Sequence, residues 1–554
     1  MRKNKGILIH SENFQVLQLL KNRYTQAIKT IYIDPPYNTD SAPILYKNGY
    51  RHSTWASLMF DRLSHSMGFL TENGVKIVAI DDTELVPLSK ILEQIAPNFR
   101  LTRTTVVHNP KGSITKDFNR VHEYALYLTR ENKKNVIART LEENETPRKM
   151  RRWGANSLRT ERKQSFYPIY VLNGEITRIG IVPDDNFHPQ GRNVTLETGE
   201  IEIWPIDQNG IERRWNFGLD AIEDNLDRIT ILEVDGTFDL FVTHELSVPK
   251  TVWTGGDYDA GNHGNTLLVN IIGEKLFDFP KSIKLVERSI SISTGEDDSG
   301  IVFDFFAGSG TTAHATINLN RKDQKTRKYI LVEMGLYFDT VVKPRTQRVI
   351  YSDEWRDGKP VSRKGSSHAF KYIKLESYED TLNNLELERT EEQVQALLSA
   401  ESFREDYLLH YMLDFESKGS LLDLQVFDNP FDYQLKIASS TVGETVPTRV
   451  DLVETFNYLI GLQIRTIRKV DGVVLVEGQT RDSKNALVIW RNTNELDSEA
   501  LNTFFTEHLA ERQKEFDTIY VNGDNTLANI RPQNATWKVH LTEEEFHYRM
   551  FEER

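Results

Sequence analysis

The sequence predicts a doubly wound α/β sheet that carries an inserted β-rich module and is followed by a smaller α/β domain. Three observations predict it. Apolar runs of strand length alternate with helical patterns over the first 130 residues and again from residue 265. Two of those runs end in polar corners rich in proline or glycine, Asp34-Pro35-Pro36-Tyr37 and Asp304-Phe305-Phe306-Ala307-Gly308-Ser309-Gly310. Between them, residues 131–264 change to short strands, many aromatic residues, and turns such as Asn173-Gly174 and Asn209-Gly210.

In the first part, residues 1–130, Ser11 or Asn13 is expected to cap a helix with Phe14, Leu17, Leu20 and Tyr24 on one face. The run Ile31-Tyr32-Ile33 follows as a buried parallel strand, and two prolines end it by removing amide donors and setting φ. Ser53 is expected to cap a second helix bearing Trp55, Met59, Leu63 and Met67. Strands are predicted over 75–80, 104–107 and 124–128. After the inserted segment the α/β pattern returns over 265–365, with a strand over 301–306, a glycine-rich turn, a helix from Thr311 and a strand over 329–333. Residues 366–410 are expected to form a charged helical connector, and 411–554 a further α/β unit with strands near 472–476, 486–490 and 518–521.

A chain of 554 residues accommodates three to four domains, at about 150 residues each. Composition is globular, with 39% apolar and 27% charged residues. No apolar run reaches the roughly 18 residues that span a bilayer, and the opening segment lacks a signal peptide's apolar stretch, so no membrane partner and a cytoplasmic enzyme are expected. The absence of cysteine excludes disulfides, thiolate zinc sites and any mechanism that needs a thiol nucleophile. Net charge is −13, yet residues 101–170 hold 15 basic against 7 acidic residues, while residues 401–554 hold 16 against 27. The first segment is a solvated basic face or a surface that tracks phosphates, and the acidic C-terminal part suits protein contact better than nucleic acid.

The corner at 34–37 holds a carboxylate, free carbonyls and an aromatic ring at a strand's carboxyl end, the edge where ligands bind in such sheets. The turn at 304–310 lets the backbone bend tightly, approach a ligand closely and offer free amides where the helix opens. It lacks the lysine of a phosphate-binding loop and the third glycine of a dinucleotide fingerprint, so neither nucleotide hydrolysis nor hydride transfer is favoured. Glu333, at the end of the next strand, is placed to accept both hydroxyls of an adenosine ribose. His52, His122 and Glu123 fit no metal-ligand spacing, so no metal is expected and these three are assigned to the fold.

Together the two corners resemble the amino-methyltransferases of DNA, with the Asp-Pro-Pro-Tyr motif first as in their β class. Within it the chain is similar to the modification (Mod) subunits of type III restriction-modification systems and their phage-defence relatives. Supporting stretches run from Ser11-Glu12-Asn13 through His122-Glu123-Tyr124, Phe166-Tyr167-Pro168 and Ile203-Trp204-Pro205 to Phe279-Pro280-Lys281-Ser282, and the likeness covers about residues 8–390. The resemblance implies a Rossmann-like sheet that uses S-adenosylmethionine to methylate an exocyclic amine of a flipped base, usually adenine N6. Asp34, Pro35, Pro36 and Tyr37 would form the catalytic corner. Asp304, Phe306, Ala307, Gly308, Gly310, Thr311, Glu333, Lys281 and Ser282 would line the cofactor pocket. The inserted segment would be the target-recognition domain, with Arg151, Arg152, Arg159, Arg162, Lys163, Arg213 and Arg214 as candidate contacts to double-stranded DNA. Trp153, Phe166 and Tyr167 would meet unstacked bases or else belong to a small β core under a solvated loop, and Arg213 and Arg214 would read base edges or else pair with Glu212 and nearby acids. A homodimer and a companion helicase-nuclease subunit are implied as partners, since the chain has no Gly-x-x-x-x-Gly-Lys-Ser/Thr motif of its own. Cytosine N4 methylation and a catalytically inactive DNA-binding specificity subunit are the alternatives; cytosine C5 chemistry is excluded because it needs a thiolate.

Overall fold

The computed structural model describes residues 4–39, 51–112, 117–140, 147–234, 236–243, 247–384, 424–438 and 444–551. Of the connector expected over 366–410, residues 385–410 lie outside the described residues, as does the start of the C-terminal unit. The chain divides into two compact units, Ala138–Pro249 and the remainder.

In the larger unit, nine strands form one sheet in the order Val252–Trp253, Phe99–Val107, His122–Arg130, Leu70–Ile80, Ile28–Ile33, Ile301–Asp304, Lys328–Glu333, Asn4–His10 and Ala369–Lys374. Every neighbouring pair is parallel except the two that involve His122–Arg130. From Ile28–Ile33 the chain steps outward to one side, and from Ile301–Asp304 to the other. The switch point therefore lies between these two central strands, and the corners at 34–37 and 304–310 leave their adjacent carboxyl ends.

Alternation along the strands divides the core into two layers, because successive side chains point to opposite faces. Ile31 and Ile33 pack with Val16, Leu17, Trp55, Met59 and Leu92 of helices Asn13–Tyr24, Arg51–Met67 and Leu85–Ile95. Tyr32 packs on the other face with Val286, Ile290 and Ala315 of helices Ile283–Thr294 and Thr311–Asp323. Near-continuous apolar strands and helices on both faces are thus one fact.

Three local expectations change. The first helix is capped by Glu12, whose carboxylate accepts from the amides of Phe14 and Gln15 at 2.6 and 3.2 Å. Ser11 is drawn away because its amide donates to Glu333 and its hydroxyl to Gln15, and Asn13 reaches Phe305. Ser53 lies inside the second helix, which already includes Arg51. Residues 369–374, expected within a helical connector, pair with Asn4–His10 as an edge strand.

The C-terminal part has its own five-stranded sheet, ordered Gln463–Val470, Val473–Gln479, Asn485–Trp490, Thr518–Val521 and Lys538–Leu541, with the last three parallel. Phe504 and Phe505 of helix Ser498–Leu509 cover one face, and Phe456 and Phe546 the other. It docks on the first helix of the larger sheet. Asn22 donates to the Leu459 carbonyl at 2.7 Å and the Arg23 guanidinium lies 4.5 Å from the Tyr458 ring centre. No helix among the described residues is long and apolar enough to cross a membrane.

Ala138–Pro249 is built of a four-stranded and a three-stranded antiparallel sheet. Asn173 and Gly174 join two of its strands with φ of 52° and 82°, the left-handed pair that a tight hairpin requires. Met150, Tyr167, Ile169, Trp215 and Leu240 fill its core.

Candidate active site at the switch point

The Asp34 corner is held from behind. Trp55, fully buried, donates its indole N–H to the Pro36 carbonyl at 2.8 Å, and Pro35 is buried. Asn38 follows at φ 58° and donates to the buried Glu84 at 2.6 Å, ending the corner with a fixed turn. His52 bonds the same Glu84 oxygen at 2.6 Å, so its place is in this brace. Asp34 keeps 27% of its side chain open to solvent.

Opposite it stand two residues from distant parts of the chain. Lys281 Nζ lies 3.3 Å from Asp34 Oδ1 and pairs with Glu123 Oε2, and it also donates to the Tyr37 hydroxyl. The Tyr37 hydroxyl in turn donates to Glu123 Oε2 at 3.0 Å. The sequence assigns Glu123 to the fold; the structure puts it in the pocket because its strand runs opposite to its neighbours and begins where they end. Burial pushes the Asp34 carboxyl above the usual carboxylate range, with Lys281 opposing and Glu123 adding to it. For Glu123, burial acts upward too, but Lys281 and His108 outweigh it and leave its carboxyl below the ordinary value. Burial works against the Lys281 ammonium, and Asp34 and Glu123 more than compensate, so its pKa is raised.

The glycine-rich turn is braced by its own acids. Asp304, 2% exposed, accepts from the Phe306 amide at 3.0 Å and from Thr312 Oγ1 at 2.5 Å. Burial pushes its carboxyl up to about 7, against those hydrogen bonds. Glu333 accepts from the Gly308 amide at 2.8 Å and, through its other oxygen, from Met334 and Gly335 at 3.0 and 2.8 Å. Ala307 bonds the Val332 carbonyl, joining the turn to the next strand. Gly308 and Gly310 have φ of 52° and 80°, and a Cβ at Gly310 would meet Val342 Cγ1 at 3.3 Å. Only glycine fits that position without strain. Thr311 opens the helix, and Ser282 is buried with its hydroxyl on the Asp257 carbonyl at 2.8 Å, bonded to the turn at 256–258.

Arg345 carried no signal in the sequence, being one basic residue in an amphipathic helix. It is fully buried beneath the turn, donating to Ser309 Oγ at 2.7 Å, Thr311 Oγ1 at 2.9 Å and the Ser309 carbonyl at 3.2 Å. Burial pulls its pKa down to about 9, with no acidic partner among the described residues.

In the Ala138–Pro249 unit, four expected DNA contacts are engaged inside the fold. Arg151 pairs with the buried Asp239 at 3.1 Å. Arg159 pairs with Glu212 at 3.0 Å and stacks on Phe166. Arg213 pairs with Asp207 at 2.9 Å, and Arg214 is buried on the Asn156 carbonyl at 2.6 Å. The reason is general: a small β module with little apolar volume holds its loops with guanidinium forks. Phe166 and Tyr167 are fully buried, so the bases they were to meet have no access. Lys163 is exposed but pairs with Asp185; Arg152, Arg162 and Trp153 are exposed.

Among the described residues no group of three or more His, Asp or Glu could hold a metal ion.

A family model described as DNA methylase matches residues 28–343. The chain is 25% identical over 388 residues to the type III restriction-modification enzyme EcoPI Mod subunit of Escherichia phage P1, covering 60% of this chain and 58% of that relative. It is 28% identical over 348 residues to the type II methyltransferase M.KpnI of Klebsiella pneumoniae, covering 58% and 79%. A solved structure of the M1.HpyAVI-SAM complex is 14% identical, covers 62% of this chain and 98% of that one, and superposes with a TM-score of 0.31. The chain thus spans 58% of the length of the EcoPI Mod subunit it matches.

Proposed function

Since the chain belongs to the DNA methylase family, we propose that it transfers a methyl group from S-adenosylmethionine to N6 of an adenine flipped out of double-stranded DNA. We assign it the modification role in a type III restriction-modification or related phage-defence system. The observation that carries this reading is the adjacency of the Asp34 corner and the glycine-rich turn at the carboxyl ends of two neighbouring parallel strands. A homodimer and a helicase-nuclease partner belong to the same proposal, and the acidic C-terminal part is its protein-contact surface. The similarity of the chain to Mod subunits supports the partner assignment.

The residues present suit the cofactor. Gly308 and Gly310 leave two positions of the turn without a side chain; we assign Glu333, at the end of the next strand, to the ribose, with Asp304 behind the turn. S-adenosylmethionine supplies an electrophilic methyl group. The protein's part is positioning. Tyr37, fixed by its hydroxyl, offers its ring for base stacking, worth about 1–3 kcal/mol against the cost of flipping. Asp34 and the Pro35 carbonyl accept from the two amino hydrogens and turn the nitrogen lone pair outward.

Incubation with labelled methyl donor and mixed-sequence DNA is expected to label adenine; label on cytosine alone, or none with any partner subunit present, overturns the reading. The raised Asp304 carboxyl adds a second expectation. A cationic ligand favours the ionised acid, so binding releases a proton and affinity falls as pH drops below about 7, by up to about tenfold per unit. Calorimetry in buffers of different ionisation enthalpy measures this, and an affinity flat from pH 8 to 6 counts against Asp304 sensing the ligand's charge from behind the turn.

For DNA, the exposed Arg152 and Arg162 are the phosphate contacts we assign. Arg152→Ala and Arg162→Ala should each lower the salt dependence of DNA binding by roughly one counterion. Arg151→Ala should instead lower thermal stability, because it removes a guanidinium from the buried Asp239. Equal binding losses in all three would reject the distinction.

A further inference from the structure

We propose that Glu123 and Lys281 are positioning residues that hold Tyr37 by its hydroxyl and set the charge of the base pocket at one net negative, presented by Asp34. The proposal rests on the methyltransferase reading above and deepens it. Four side chains from three distant segments meet here: the Tyr37 hydroxyl bridges Lys281 Nζ and Glu123 Oε2, and the same Nζ lies 3.3 Å from Asp34 Oδ1. Glu123 keeps 4% of its side chain exposed and Lys281 13%, so the ammonium answers one buried carboxylate while Asp34 faces the opening. Lys281 therefore belongs to the base side of the site, where the sequence had placed it among cofactor residues.

The chemistry gives that charge a task. As the adenine N6 lone pair forms the bond to the methyl carbon, the S–C pair stays on sulfur and N6 becomes positive until it yields one proton to Asp34, which passes it to water. A pocket at minus one stabilises that charge as it develops; a neutral one does so less. The groups facing Asp34 are Lys281, Glu123 and Tyr37, with Tyr32 from the strand beneath and Asp304 from the neighbouring strand end; His108 faces Glu123.

Opposite charge changes should therefore act in opposite directions on the acid limb of the kcat–pH profile, where Asp34 must be ionised. Glu123→Gln removes a like charge, eases Asp34 ionisation and moves the limb to lower pH by up to about one unit, with kcat about tenfold lower. Lys281→Met removes the counter-charge and moves the limb to higher pH by a similar amount. Lys281→Arg keeps the charge and should leave the limb in place. Shifts of the same sign, no shifts, or a Lys281→Met loss confined to cofactor binding overturn the inference. A readout without cofactor or DNA separates this from the functional reading. Lys281→Met leaves two neighbouring carboxylates uncompensated, so its melting-temperature deficit should be larger at pH 8 than at pH 5, and a deficit independent of pH also overturns it. Wild-type protein that never methylates adenine would instead remove the functional reading.

Discussion

Asp34→Ala is expected to lower methyl transfer about a thousandfold while leaving S-adenosylmethionine binding nearly unchanged. Asp34 supplies the side-chain carboxylate that would accept from the amine, and the Pro35 carbonyl beside it cannot orient both amino hydrogens alone. The corner itself should survive, because Trp55 holds the Pro36 carbonyl and Asn38 holds Glu84 independently of Asp34. Lys281 also retains Glu123 as a partner in the variant. Single-turnover transfer and equilibrium dialysis of labelled cofactor separate the two effects. If transfer and cofactor binding fall together, Asp34 acts chiefly as a structural residue.

Arg345→Met is expected to weaken cofactor binding about tenfold and to lower stability by about 2–3 kcal/mol, with kcat at saturation little changed. Methionine nearly matches the buried volume but cannot donate to Ser309 Oγ, Thr311 Oγ1 or the Ser309 carbonyl, all satisfied by one guanidinium now. Ser309 Oγ and Thr311 Oγ1 keep each other at 3.2 Å, so the loss falls mainly on the Ser309 carbonyl, at a cost on the order of 1–3 kcal/mol. Part of that is offset because the variant no longer buries an unpaired cation. The turn from Gly308 to Thr311 then loses the brace that fixes its amides. Calorimetric affinity and urea unfolding test both halves, and an unchanged affinity would mean that Glu333 and Asp304 hold the turn without help.

The pieces readable from sequence were those whose chemistry is local. Asp34-Pro35-Pro36-Tyr37 and the turn at 304–310 are contiguous, each follows an apolar strand, and proline and glycine dictate the backbone wherever they occur. The Asn173-Gly174 hairpin was legible for the same reason. Helix caps were less so, because Ser11, Glu12 and Asn13 all have cap chemistry and only their tertiary partners chose among them.

The arginines of the inserted unit show where composition stops informing. A guanidinium serves equally as a phosphate contact and as a buried fork, and no local pattern separates Arg151, locked on Asp239, from Arg152, exposed beside it.

By itself the sequence determined the sheet class, the two corners and the residue types they present, since these follow from short-range periodicity and backbone restriction. Only the tertiary structure decided that Glu123 and Lys281 complete the Asp34 pocket. They lie 86 and 244 residues from Tyr37 along the chain; Glu123 meets it because a reversed strand begins at the edge where the parallel strands end, and Lys281 because it stands just before helix Ile283–Thr294, which packs on the sheet.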